Sequence, residues 1–553
     1  MLLALLFTVG TWLSPTTRYI GGGPDPMQTM WAMNWVPFAL GHGSNVLFTN
    51  YVNFPAGIDM LWNQSDALPA LVLWPITAVF GSVLTYNLLT LTGIILAAFF
   101  AYLAVRRFVP HVWPAWLAGL LYGFSPFVTG QLHGHLNLVL GAATVPMALL
   151  LFDELVIRQR MRRRALVPLL VAFGIVQFFV SQEFFVTTII VGLVLLGVLR
   201  VVARDDQTGR TRYLLVTGAP AAAILIVLLA VPAAIQLGGS DSVTGVLHPV
   251  GRYVSDLLNL VVPTPVQLIR PAPVALTASH FTGNAAEWDA YLGIPLILVV
   301  TAAAIAFRRV RTVTVACVMA LGVTILSLGP TLHIGGHDTG IPLPWWPIAH
   351  LPVLENILPS RLMAYTFLAA SVVLAYTLSR LSRRNLAAAI ALGAAAAIPL
   401  IPVIPANSAA VSIPAYFTSE GADTLPSGVV ALVVPWPSSQ DARAMLWQMA
   451  SGMRFRLVGG YFLGPVAPGS AALRRVVDAM VAGQPPPRLT NAQRAEYMGE
   501  ITDSHIGVIL MGLGHTANQK SIDMFFTSLL REHPRINGGV DEWLVQATAP
   551  AAS

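Results

Sequence analysis

"ALPALVLWPITAVFG" (residues 67–81) decides how the whole chain is threaded. It is apolar, but shorter than the roughly 20 residues a helix needs to cross a bilayer, and Pro69 and Pro75 interrupt it. Counted as a crossing, it would invert every loop that follows. The arginines arbitrate. The apolar runs predict spans at about 1–14, 84–105, 112–129, 136–156, 165–181, 184–200, 213–236, 289–307, 312–330, 362–379 and 385–404. With the N-terminus inside, the cytoplasmic loops hold Arg106, Arg107, Arg158, Arg160, Arg162, Arg163, Arg164, Arg200, Arg204, Arg210, Arg212, Arg308, Arg309, Arg311, Arg380, Arg383 and Arg384, seventeen in all. The opposite loops before residue 405 hold four: Arg18, Arg252, Arg270 and Arg361. Basic residues accumulate on the cytoplasmic side of membrane proteins. Residues 67–81 are therefore read as a re-entrant or interfacial helix packed on the bundle. The count becomes about 11 transmembrane helices, and residues 15–83 form one large extracytoplasmic loop.

Composition agrees with this class. Of 553 residues, 56% are hydrophobic and 10% charged, against about 25% charged in soluble domains. The long runs are continuous and not alternating, which excludes a membrane β-barrel. A net charge of +6 reflects loop arginines and gives no reason to expect a nucleic-acid partner. Cys317 is the only cysteine, so intrachain disulfides and cysteine metal sites are excluded. Residues 1–13 lack the basic start of a signal peptide and are read as a first helix whose start lies upstream.

After about residue 405 the pattern changes. "GVVALVVPWP" (428–437) and "HIGVILMGL" (505–513) read as buried strands, and "MFFTSLLREHP" (524–534) as a helix. The expected organisation is a transmembrane domain over 1–404 and an extracytoplasmic α/β domain over 405–553. The expected location is the plasma membrane, with the N-terminus cytoplasmic.

The layout resembles the GT-C superfamily of integral-membrane glycosyltransferases. "GPDPMQ" (23–28), "GLLYGFSPFVTGQLHGHLNL" (119–138) and "NAAEWDAYLGIPL" (284–296) are similar to stretches in a group of uncharacterised bacterial members. The resemblance covers a first helix, a long outer loop with an acid near its start, many spans and a terminal outer domain. It implies a polyprenyl-phosphate-sugar donor, a glycan, lipid or protein acceptor of the cell envelope, and chemistry on the outer face. Many members carry an acidic pair in the first loop; here Asp25 stands alone between Pro24 and Pro26. Metal use is thus left open.

Sugar transfer needs a base for the acceptor hydroxyl and cations for the departing phosphate. Asp25 is the first candidate base; the plain alternative is an Asx-turn beside Pro26. Glu183, between "VQFFVSQ" and "FFVTTIIVG", is the second, because an acid at a span end is costly. His133 and His135 are read as polar lining, with a divalent metal shared with Asp25 or Glu183 as the alternative. Arg361 is the candidate phosphate clamp, against an interfacial anchor. Arg252, with His248, is a weaker candidate of the same kind. Glu287 is assigned to acceptor hydroxyls and Trp288 to a sugar face, against an aromatic belt.

No Walker P-loop or H-E-x-x-H motif occurs. The competing functions are a lipid or polysaccharide transporter or flippase, and a non-catalytic envelope-assembly protein. Transporters place polar groups near the midplane of repeated halves; here the acids gather at one surface and no repeat of the halves is found.

Overall fold

A computed structural model describes residues 1–63, 67–202, 208–239, 242–243, 245–466, 471–514 and 518–545. Arg204, counted among the cytoplasmic arginines, lies outside them. Among the described residues, six helices are long and apolar enough to cross a membrane: Ser82–Arg106, Leu136–Arg158, Arg163–Val180, Gln182–Val202, Arg210–Gly238 and Pro359–Ser382. Three shorter apolar helices accompany them, Ile294–Ala306, Arg311–Ser327 and Leu386–Leu400. The protein is a polytopic helical membrane protein, in which the helix satisfies every backbone group without water.

Several expected spans are broken. The first apolar run is two short helices, Leu2–Phe7 and Val9–Trp12, separated at Thr8, whose hydroxyl bonds back to the Ala4 carbonyl at 2.8 Å. The run at 112–129 stops at Gly123 and restarts as Pro126–Gln131. Ser125 caps the restart by accepting from the Val128 amide, with Pro126 at the first helical position. Residues 67–81 form two helices, Ala67–Val72 and Trp74–Phe80, each far too short to span. The break precedes Pro75, whose missing N–H suits a helix start.

The chain divides into two compact units. The first comprises Met1–Pro15, Asn87–Val231 and Thr244–Ser408. Its helices approach closely where side chains are small. A Cβ on Gly119 would sit 2.7 Å from the Ala98 carbonyl oxygen, and one on Gly123 only 2.5 Å from the Ala98 Cβ. "GLLYG" (119–123) is thus a small-xxx-small seam against the Ser82–Arg106 helix.

The second unit comprises Thr16–Tyr86, Pro232–Val243 and Ala409–Ser553. Its centre is a five-stranded sheet in the order Arg535–Asn537, Val540–Leu544, Ile506–Gly512, Val429–Val434, Phe455–Leu457. Val429–Val434 runs parallel to both neighbours, while Val540–Leu544 is antiparallel to Ile506–Gly512. Ala431, Val433, Val508 and Leu510 enter one core; Val430, Leu432, Ile509 and Met511 enter the other. Burial on both faces explains why these strands read as unbroken apolar runs. The first core also takes the Pro24–Gly41 helix, whose Trp31 and Trp35 stack at 6.0 Å. Trp31 donates to Gln448 Oε1 at 2.7 Å. Both indoles are core residues.

Candidate functional site

In the first unit, three of the predicted residues meet. Arg361 lies in the Pro359–Leu362 turn that opens the Met363–Ser382 helix. Its Nε donates to both Glu287 oxygens at 3.1 and 3.3 Å, and one terminal nitrogen reaches Glu287 Oε1 at 2.6 Å. The other terminal nitrogen pairs with Glu183 Oε2. Glu183 stands in the first turn of the Gln182–Val202 helix, which begins where Ser181 turns to extended backbone. Its second oxygen accepts from the Leu358 amide at 3.0 Å. Glu287 is held by an Asx turn: Asn284 Oδ1 accepts from the amides of Ala286 and Glu287 at 3.0 and 3.3 Å. Ser360 Oγ donates to Glu287 Oε2 at 2.9 Å. The guanidinium is forked between two carboxylates, the geometry that favours arginine over lysine.

A second layer surrounds the triad. Gln131, fully buried, donates to the Ala286 carbonyl at 3.0 Å and to Asp289 Oδ2 at 3.2 Å. Its oxygen accepts from His135 Nδ1 at 2.6 Å, and that nitrogen is 4.0 Å from Glu287 Oε1. Among the described residues, Asp289 Oδ1 is buried without a hydrogen-bond partner. Glu287 and Asp289 lie in the loop before the Ile294–Ala306 helix, and their environments push them apart. Burial alone would raise the Glu287 carboxyl, but Arg361 outweighs it and holds the group below its usual range. Burial and then the adjacent Glu287 charge hold Asp289 well above its usual range, against the Gln131 bond. The two carboxyls of this loop are thus shifted in opposite directions.

The other predicted residues of this unit have contact partners outside the triad. His133 bonds through Nδ1 to the Gly130 carbonyl at 2.9 Å. Trp288 donates to the Thr282 carbonyl at 2.8 Å and packs edge-on against Phe281. Arg252 is exposed and lies over the Tyr253 ring at 5.5 Å. His248 meets the same ring at 4.9 Å, and its pKa is lowered by burial and then by the charges of Arg361 and Arg252.

Asp25 belongs to the second unit. It occupies the first turn of the Pro24–Gly41 helix, where a carboxylate is favoured by the helix dipole. Its Oδ1 accepts from the Tyr461 hydroxyl at 2.6 Å. One turn on, Gln28 donates to the Tyr461 carbonyl at 3.0 Å and to Asn63 Oδ1 at 3.4 Å. Asn63 in turn accepts from the Leu463 amide at 2.6 Å. The half-buried acid therefore sits on a hydrogen-bonded shelf that joins 23–63 to 461–463.

Among the described residues, no group of three or more His, Cys, Asp and Glu has a metal-holding arrangement. Sequence reading missed Gln131, Ser360, Asp289 and Tyr461. Ser360 and Asp289 adjoin residues it did select, in "LPSR" and "EWDA"; Tyr461 carries no local signal, since its partner is 436 positions away.

Among solved structures, the chain is similar to the Archaeoglobus fulgidus oligosaccharyltransferase in complex with zinc and sulfate, at 11% identity and a TM-score of 0.43, covering 92% of this chain and 67% of that one. It is also similar to ArnT from Cupriavidus metallidurans bound to undecaprenyl phosphate, at 12% identity and a TM-score of 0.39, covering 99% and 98%. No curated protein matches the chain. The family model described as a domain of unknown function, DUF6311, matches residues 1–403, and the chain belongs to that family.

Proposed function

We propose that the protein is a membrane glycosyltransferase that moves a sugar from a polyprenyl-phosphate donor to a cell-envelope glycan, lipid or protein on the extracytoplasmic face. The observation that carries this reading is Asp25, a half-buried carboxylate in the first turn of a helix, with one oxygen engaged by Tyr461. In this reading Asp25 takes the proton of the acceptor hydroxyl as that oxygen attacks the anomeric carbon. The bond from that carbon to the phosphate oxygen breaks, and the polyprenyl phosphate leaves. Tyr461 fixes the carboxylate orientation through its hydroxyl.

Arg361 is the phosphate contact in this scheme. Its fork is already filled by Glu183 and Glu287, so a donor phosphate must exchange with a carboxylate. Glu183, 17% exposed against 2% for Glu287, is the one that yields. Glu287 then orients the guanidinium, and His133, His135, Arg252 and Trp288 supply polar and aromatic surface to the sugar. A divalent metal is not required by this scheme. The test is turnover of a polyprenyl-phosphate sugar by the purified protein in nanodiscs. Asp25→Asn should lose roughly 100- to 10,000-fold in turnover, the usual worth of a general base, while donor binding persists. Wild-type turnover by Asp25→Asn would remove the base assignment.

A further inference from the structure

The first unit contains a half-open cleft of about 710 Å³ that the sugar-transfer scheme does not use. Its wall is apolar along most of its length, with Val145, Val191, Leu195, Val323 and Leu368 among the lining. One end is cationic: Arg107, Arg158, Arg160, Arg200, Arg210 and Arg311 all line it. Chain connectivity puts these arginines at one end of the bundle. Arg158 closes the Leu136–Arg158 helix, Arg200 lies in the last turn of Gln182–Val202, Arg210 opens Arg210–Gly238, and Arg311 opens Arg311–Ser327.

Among the described residues, two acids partly offset them. Glu154 pairs with Arg107 at 2.9 Å and Asp153 with Arg158 at 2.6 Å. The described rim residues keep a positive excess. The opposite end is closed by Tyr365, whose hydroxyl is 2.9 Å from both Thr187 Oγ1 and Thr188 Oγ1. Thr188 and Arg200 both line the cleft and lie on one helix. At 1.5 Å per residue they are about 18 Å apart. One leaflet of hydrocarbon is about 15 Å thick, half of the bilayer core.

We infer that this cleft binds one anionic phospholipid, with an acyl chain along the apolar wall and the phosphate at the arginine rim. An apolar path one leaflet long fits the chain. A cluster of guanidinium groups fits the phosphate, which arginine engages through paired N–H bonds. The positive excess selects an anionic headgroup over a zwitterionic one. The lipid enters from the leaflet on the arginine side. The inference does not rest on the sugar-transfer reading, and either can fail alone.

The test uses the full chain reconstituted in phosphatidylcholine vesicles containing a minority of phosphatidylglycerol. Retained lipid is counted by native mass spectrometry after extraction in mild detergent. Wild type should retain phosphatidylglycerol in preference to phosphatidylcholine. Arg200→Ala with Arg210→Ala should cut that preference roughly 10- to 30-fold, as expected for two arginines near an anionic headgroup. Gly192→Leu should lower retention of both lipids, because Gly192 lines the cleft and a Cβ there meets nothing within 4 Å. That open space lets the variant fold, and an unchanged labelling rate of Cys317 verifies it. Equal retention of the two lipids by wild type would overturn the inference. So would an unchanged preference in the arginine double variant, the outcome if these arginines serve orientation alone. Retention of a polyprenyl phosphate in place of phospholipid would overturn it as well.

Discussion

Replacing Arg361 with leucine should expose how much the triad stabilises the first unit. The guanidinium is 15% exposed and its partners Glu183 and Glu287 are 17% and 2% exposed. Arg361→Leu leaves two carboxylates facing each other with no cation between them. Removing one partner of a buried ion pair costs about 3–5 kcal/mol, because the survivor is an uncompensated buried charge. Glu183 is the better hydrated of the two and relaxes toward water, so the cost comes mainly from Glu287. At 1.4 kcal/mol per tenfold, the open population should rise roughly 150- to 4,000-fold. The assay is modification of Cys317, the only thiol in the chain. It lies on the Arg311–Ser327 helix, 3.8 Å from the Val300 carbonyl. Its labelling rate in mixed micelles, followed against denaturant, reports opening of the same unit. Adding Glu183→Gln and Glu287→Gln to Arg361→Leu should recover most of the loss, since neutralising a whole buried cluster is far less costly than halving it. Labelling of Arg361→Leu at the wild-type rate would refute the argument that the triad is buried and mutually dependent.

Asp289→Asn should change the pH dependence of stability. A carboxyl held above its usual pKa in the folded state binds a proton that the unfolded chain has released, so its contribution falls as pH rises from about 4 toward the raised value. Asp289→Asn should flatten that decline, measured as unfolding free energy against pH; superimposable profiles would contradict it. Glu287 has the opposite sign: its contribution is present above about 4.3 and is lost as pH falls through its lowered value, so Glu287→Gln should lose stability at neutral pH and less in acid. Topology is checked by single cysteines in a Cys317→Ala background. Those at 158–164 and 308–311 should resist an impermeant thiol reagent in intact cells while those in 405–545 react, and labelling of the 158–164 loop would invert the proposed orientation.

The membrane class was legible because it is a property of long windows, and burial in lipid tolerates few charges over such a window. The strands at 429–434 and 506–512 were legible for a related reason, burial on both faces. Breaks inside the spans were harder. Thr8 and Phe124 carry no strong breaker signal of their own, and the interruption at 124–125 depends on a serine cap followed by proline. Of the site, Glu183, Glu287 and Arg361 could be picked singly as charges beside apolar runs. Their mutual pairing could not, because it links positions 74 and 178 residues apart. The core role of Trp31 and Trp35 was not legible: aromatic residues beside an apolar segment fit a membrane belt as well as a protein core, and composition does not separate the two.

The Gly119–Gly123 seam has a genetic consequence. Every amino-acid change that one base substitution makes to a glycine codon adds at least a Cβ. At both positions that atom falls within 3 Å of the neighbouring helix at Ala98, closer than carbon atoms pack. No mild neighbour in codon space exists there, not even alanine. A random library selected only for correct membrane insertion and folding should therefore return glycine codons at 119 and 123, while Gly192, with open space at its Cβ, drifts freely. The two glycines act as fixed points of heredity set by the distance between two helix axes, whatever reaction the protein carries out.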